Sequence, residues 1–215
     1  IHSRNGTVID VLGRMKPDLV VNEGLTSYAA PAIASAAALL YDAIRPGFPD
    51  ADHPQAVKAV LLAGASKTNR PAWQRDVPTE PYHDVFGAGE LNILNAYHIL
   101  AKGRQPYSAS VEVATLGWDF TTSSSTGTRC YFFTVPAGQM ANTFSAALTW
   151  HREITVSETF FASTLPDLSL KLYASTAFTP AASPVDQSIS SVDNVEHLWL
   201  RNLPPGQYTL EVTSD

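Results

Sequence analysis

Thr26-Ser27-Tyr28-Ala29-Ala30-Pro31-Ala32-Ile33-Ala34-Ser35-Ala36-Ala37-Ala38-Leu39-Leu40 sets the reading of the first half of the chain. Ala29, Ile33, Ala36, Ala37, Leu40 and Ile44 recur at three- and four-residue spacing, which predicts a helix from Ser27 to about Ile44. Small side chains let a helix approach its neighbours closely, so this one is expected to be central and buried. Pro31 is expected in the first turn, where a missing N–H has no intrahelical partner to lose. A serine at such a helix start has two advantages as a nucleophile. Free N–H groups lie beside it, and the partial positive charge of the helix end stabilises a developing oxyanion. The same position also suits a capping serine, and no local spacing supplies the base that the hydroxyl needs.

Outward from that stretch, Arg45-Pro46-Gly47-Phe48-Pro49 reads as a turn, and Pro54 as the first residue of a second helix. That helix is expected over Gln55 to Leu62, ending near Gly64, and a third over Ile93 to Leu100. After about Gln105 the helical period vanishes. Alternating runs follow at Ala109–Ala114, Arg129–Val135, Phe144–Trp150, Leu168–Tyr173, Val195–Leu200 and Tyr208–Val212. Ser123–Gly127, Pro136-Ala137-Gly138 and Pro204-Pro205-Gly206 separate them as turns. Many short strands without helices indicate a β-sandwich, with a boundary near residues 103–107.

Composition narrows the function. The 215 residues carry 14 Lys and Arg against 20 Asp and Glu, a net charge of −6. That balance argues against nucleic acid or an anionic membrane as the main partner. No run approaches eighteen consecutive apolar residues, so no membrane span is expected. Ile1-His2-Ser3-Arg4-Asn5 has no apolar h-region and no initiator Met, as in a processed or excised piece. The single cysteine, Cys130, reads as a small buried hydrophobe on a strand.

Four segments, taken in order, resemble the C-terminal part of the catalytic domain of a subtilisin-like serine protease (a subtilase). They are Ser3-Arg4-Asn5-Gly6 with Gly13-Arg14-Met15-Lys16-Pro17-Asp18-Leu19-Val20, then Leu25-Thr26-Ser27-Tyr28-Ala29-Ala30-Pro31, then Val57–Ala65, then Phe86-Gly87-Ala88-Gly89-Glu90-Leu91-Asn92. Asp167–Tyr173, Asp193-Asn194-Val195-Glu196 and Pro205–Val212 are similar to a jelly-roll-like module appended to many secreted subtilases. The resemblance implies an α/β fold over 1–105, the C-terminal portion of a parallel-sheet domain, followed by an all-β sandwich over 106–215. It implies that Ser27 is the nucleophile, with its own N–H as one oxyanion donor. It also implies a peptide or protein substrate and a secreted or cell-envelope location.

Leu25 stands where the family has glycine, and only Val21-Asn22-Glu23-Gly24 separates Val20 from Leu25 where the family has a longer stretch. The resemblance places the catalytic Asp and His and the oxyanion Asn in an N-terminal part, on the same or a separate cleaved chain, so this polypeptide alone is expected to be inactive. His2, His53, His83, His98, His151 and His197 read as surface or structural residues, His197 on the solvent face of a strand. Modules of this kind sometimes hold structural Ca²⁺, but Asp167, Asp186 and Asp193 read as turn residues and no metal is assigned. The alternative is a catalytically inactive subtilase-like binding or adhesion module. An unrelated esterase is disfavoured, because no Gly-x-Ser-x-Gly elbow occurs.

Overall fold

A computed structural model describes residues 14–44, 48, 50–70, 72–122, 127–156 and 161–214. The motif Ser3-Arg4-Asn5-Gly6, His2, most of the turn at 45–49 and most of the turn at 123–127 lie outside the described residues.

Three helices form from the first half. Helix α1 spans Thr26–Ile44. The Leu25 carbonyl starts it, accepting from the N–H of Tyr28 at 3.0 Å and of Ala29 at 3.1 Å. Helix α2, Pro54–Gly64, follows His53, whose extended backbone (φ −79°, ψ 132°) ends the preceding loop, and proline opens the helix as its fixed φ favours. Helix α3, Ile93–Ala101, is capped by Asn92, whose side chain accepts from Asn95 N at 3.0 Å. Ala36, Leu40 and Ile44 of α1, Val57, Val60 and Leu61 of α2, Ala96 and Leu100 of α3, and Trp118 share one core. The α2–α3 approach is close: a Cβ on Gly64 would lie 2.7 Å from the Ala96 nitrogen.

Helix α1 is not the buried central helix that its small residues predict. Only Ala36, Leu40 and Ile44 are buried, while Leu39 is exposed. These three positions are one stripe at i, i+4 and i+8, the face turned to α2. By length and composition alone α1 is apolar enough to cross a membrane, a test that core helices also pass. Pro31 lies beyond the first turn, not within it.

The named strands of the second half all pair antiparallel. Strands β1 (Arg129–Val135), β2 (Ala141–Thr149), β3 (Glu153–Val156), β4 (Phe161–Thr164), β5 (Leu168–Thr176), β6 (Thr179–Pro180), β7 (Asp186–Ser188), β8 (Val195–Leu203) and β9 (Gly206–Ser214) follow in order. One sheet runs β1-β9-β5-β6 with β7 also on β5, a second pairs β2 with β8, and β3 and β4 form a hairpin. Because successive side chains alternate faces, Phe133, Leu170, Leu172, Tyr208 and Val212 of the first sheet meet Ala146 and Leu198 of the second in a common core. The expected strand at 109–114 is reduced to one isolated bridge, Glu112 to Phe132.

The expected fold class is therefore corrected. The chain does not form a parallel-sheet α/β part followed by an all-β sandwich; it forms a β-rich fold of antiparallel sheets with three helices. Among the described residues no named strand precedes Arg129, and the only parallel pairings are single bridges such as Val20 to Glu90. A parallel sheet needs apolar strands joined by helical crossovers. The segments flanking α2 are instead cut into turns by prolines and glycines, and they bridge residue by residue: Val20 N to Gly89 O at 3.0 Å, Ser66 N to Glu90 O at 2.8 Å. Helix α2 packs directly on the second sheet, with Ser145 Oγ donating to Ala63 O at 2.7 Å and Thr149 Oγ1 to Gln55 O at 2.8 Å.

Candidate functional site

Ser27 is the second residue of α1 and is exposed. With Leu25 as the capping residue, the N–H groups of Thr26 and Ser27 have no intrahelical acceptor, and neither is bonded to another described residue. Pro31 loosens the same turn from the other side. It has no N–H to give the carbonyl four residues back, which is that of Ser27. One residue therefore offers a solvent-facing hydroxyl and an unpaired N–H at the positive end of a 19-residue helix. That arrangement can attack a carbonyl and stabilise the oxyanion that forms, once a base is present.

No histidine within the described residues serves Ser27. His53 stacks on Phe120 with ring centroids 3.7 Å apart. His83 Nδ1 accepts from Val85 N at 3.1 Å, with Asp84 Oδ1 lying 2.9 Å from the same nitrogen. His98 and His151 are exposed elsewhere. His197 corrects the expectation of a solvent-facing residue: it is fully buried, because loop residues between α2 and α3 cover that face of β8. No protein-family model and no curated protein matches the chain.

The cluster around His197 is one that the sequence reading missed. Lys67 is 3% exposed and has no carboxylate partner among the described residues. Its Nζ lies 3.4 Å from His197 Nε2 and 3.5 Å from the Ala65 carbonyl, with the rings of Trp73 and Trp199 at 4.6 and 5.3 Å. Burial pulls the amine from its ordinary 10.5 down to about 7. Burial, then the neighbouring Lys67 and Arg75 charges, hold His197 neutral and well below its ordinary value. With Lys67 donating to Nε2, the imidazole proton sits on Nδ1, which has no partner among the described residues.

Next to it Glu196, also fully buried, accepts from Ser190 N at 2.5 Å and from the Ser188 hydroxyl. Burial pushes its carboxyl up to about 8 despite those bonds. A histidine and a glutamate are thus held mainly uncharged near neutral pH, beside a lysine that titrates in the same range.

The acidic residues weighed for metal are otherwise engaged. Asp186 pairs with Arg75 at 2.5 Å, and Asp193 accepts from Met15 N at 3.0 Å and Ser190 Oγ at 2.9 Å. Asp167 has interactions of its own. Among the described residues no group of three or more His, Cys, Asp or Glu is placed to hold a metal ion. Cys130, on β1, is half-buried, and its thiol is raised by burial and then by Glu211, which disfavours the reactive thiolate.

Proposed function

We propose that this chain carries the nucleophile of a serine endopeptidase of the subtilisin-like kind. Ser27 Oγ attacks the scissile carbonyl while a histidine on polypeptide N-terminal to the described residues takes the hydroxyl proton. The Ser27 N–H, with an asparagine from the same source, holds the oxyanion, and an aspartate orients the histidine. Collapse of the tetrahedral adduct expels the amine, which leaves with the histidine's proton, and water then releases the acyl group. The observation that carries this reading is the exposed Ser27 hydroxyl beside unpaired N–H groups at the start of α1. The exposed apolar side chains Leu25, Tyr28 and Leu39 support it, as a face on which such a polypeptide would pack. Its substrates would be peptides or proteins, and its setting outside the cell or at the envelope.

A second reading, a catalytically inactive binding or adhesion module, is favoured by Leu25. This side chain stands where the subtilase motif has glycine, and its solvent exposure of 57% places its bulk beside the nucleophile. A fluorophosphonate probe applied to the full-length protein separates the two. Labelling that disappears in Ser27→Ala supports the protease. A folded full-length protein that stays unlabelled supports the binding module and rejects the protease.

A further inference from the structure

The two facing sheets end at an open cleft. Strand β2 finishes there at Thr149, followed by Trp150; β5 begins there at Leu168, and β9 ends there at Ser214. From the helical side α2 presents Gln55, Ala56 and Ala59, and the two alanines are too small to fill the space beside the sheets. The cleft measures about 540 Å³ and is open to solvent.

Its lining has two characters. Leu148, Trp150, Pro166, Leu168 and Val212 are apolar, and the Trp150 indole N–H donates to Pro166 O at 2.8 Å, which fixes the ring. Gln55 of α2, Thr121 and Thr122 of the loop after Trp118, and Ser214 of β9 are polar and uncharged. A ligand that suits both parts needs an apolar face and a polar edge.

The charges of the lining select neither sign. The Asp119 carboxylate is already engaged: it accepts from Arg104 Nε at 2.8 Å, Phe120 N at 2.9 Å and the Tyr131 hydroxyl at 3.0 Å. Glu153 and Arg129, one of each sign, line the cleft together with His151. The group left wanting is uncharged. Gln55 Oε1 is buried and has no partner among the described residues, and a buried acceptor is costly until something donates to it. A carboxylate has no proton to give. An ammonium has one, but it would meet Arg129 at the same lining. A hydroxyl carries no charge and both donates and accepts, so it answers either end of the glutamine amide.

We propose that this cleft binds an uncharged sugar unit, one hydroxyl donating to Gln55 Oε1 and the apolar face of the ring against Trp150 and Leu168. A pyranose combines the two characters of the lining, with C–H groups on its faces and hydroxyls around its edge. Thr121, Thr122 and Ser214 supply hydroxyls that can take either hydrogen-bonding role toward those of the sugar. Apolar contact supplies burial, and the few placed polar groups set the orientation. Because the cleft is open, its volume does not confine the ligand to one unit, and a longer neutral saccharide can extend into solvent.

NMR titration of the full-length protein with cellobiose, maltose and lactose tests this. At least one of the three is expected to bind saturably. Gln55→Met keeps the length of the side chain and removes the acceptor, and it should weaken that disaccharide about fivefold (about 1 kcal/mol). Without ligand the same variant should unfold at a higher urea concentration than the wild type, because the unmet acceptor is gone. Ala59→Phe, which fills the cleft from α2, should abolish binding in protein whose circular dichroism matches the wild type. Glucuronate and glucosamine should bind no more tightly than glucose. The proposal is overturned if none of the disaccharides saturates, if Gln55→Met binds as well as the wild type or is less stable, if binding survives Ala59→Phe, or if either charged sugar binds more tightly than glucose.

Discussion

Replacing Lys67 by methionine should stabilise the protein at neutral pH and flatten its pH dependence. The amine sits 3% exposed among Trp73, Trp199 and His197, without a carboxylate. Its fall from 10.5 to about 7, at about 1.4 kcal/mol for each pH unit, corresponds to a cost on the order of 5 kcal/mol. The unfolded chain binds more protons than the folded one between pH 7 and 10.5. Stability therefore rises with pH across that window, and the cost is full at and below pH 7. Methionine keeps the length of the side chain and removes the charge, but leaves His197 Nε2 without its donor, which costs about 2 kcal/mol. The net expectation is a gain of about 3 kcal/mol at pH 7. Urea unfolding followed by circular dichroism at pH 6, 7, 8, 9 and 10 measures it. The wild type should strengthen from pH 8 upward and the variant should lack that rise. A Lys67→Met protein weaker than wild type at pH 7, or two curves that stay parallel, refutes the placement of an uncompensated amine in the core.

Glu196 gives the opposite slope. Its carboxyl is raised from 4.5 to about 8, so the stability it confers is full below pH 4.5 and lost as pH climbs to 8. With Lys67 this produces a stability minimum between pH 7 and 8, and Glu196→Gln, which mimics the protonated acid, should remove its acid-side wall by several kcal/mol in the same urea series. Gly87→Ala should cost about 3 kcal/mol in urea unfolding at pH 7, because φ is +57° and a Cβ there would lie 2.3 Å from the Pro17 carbonyl oxygen. Ser27→Ala should leave unfolding unchanged within about 0.5 kcal/mol, as befits an exposed residue, yet lower peptide hydrolysis by the full-length protein by about 10⁴–10⁶.

The elements themselves were legible where one period dominates. The run Arg129–Val135 is β1 residue for residue, and α3 differs from the expected helix by one residue at its end. Strands β3 and β4 were missed because Glu153–Val156 and Phe161–Thr164 are too short to show a period. Burial was less legible than periodicity. Alanine-rich α1 reads as a core helix, but small residues permit close packing without requiring it, and only the stripe through Leu40 finds a described neighbour. The parallel sheet was inferred from motif resemblance; short, proline-interrupted segments around α2 satisfy their backbone groups with single bridges instead.

For the sites, Ser27 was visible as a serine at a helix start, and the structure adds its unpaired N–H and the missing Pro31 donor. Lys67 and His197 were not visible, since their 130-residue separation closes only when the loop after α2 folds onto β8.

Whether Ser27 forms an ester bond is the central claim, and trapping that ester tests it most directly. The full-length protein would be mixed with a peptide ester, quenched in acid within the first turnover and mapped by mass spectrometry. The account predicts the acyl mass on the peptide containing Ser27 and its absence in Ser27→Ala. Turnover with the acyl group on any other residue, or cleavage with no acyl adduct that survives in Ser27→Ala, would contradict it.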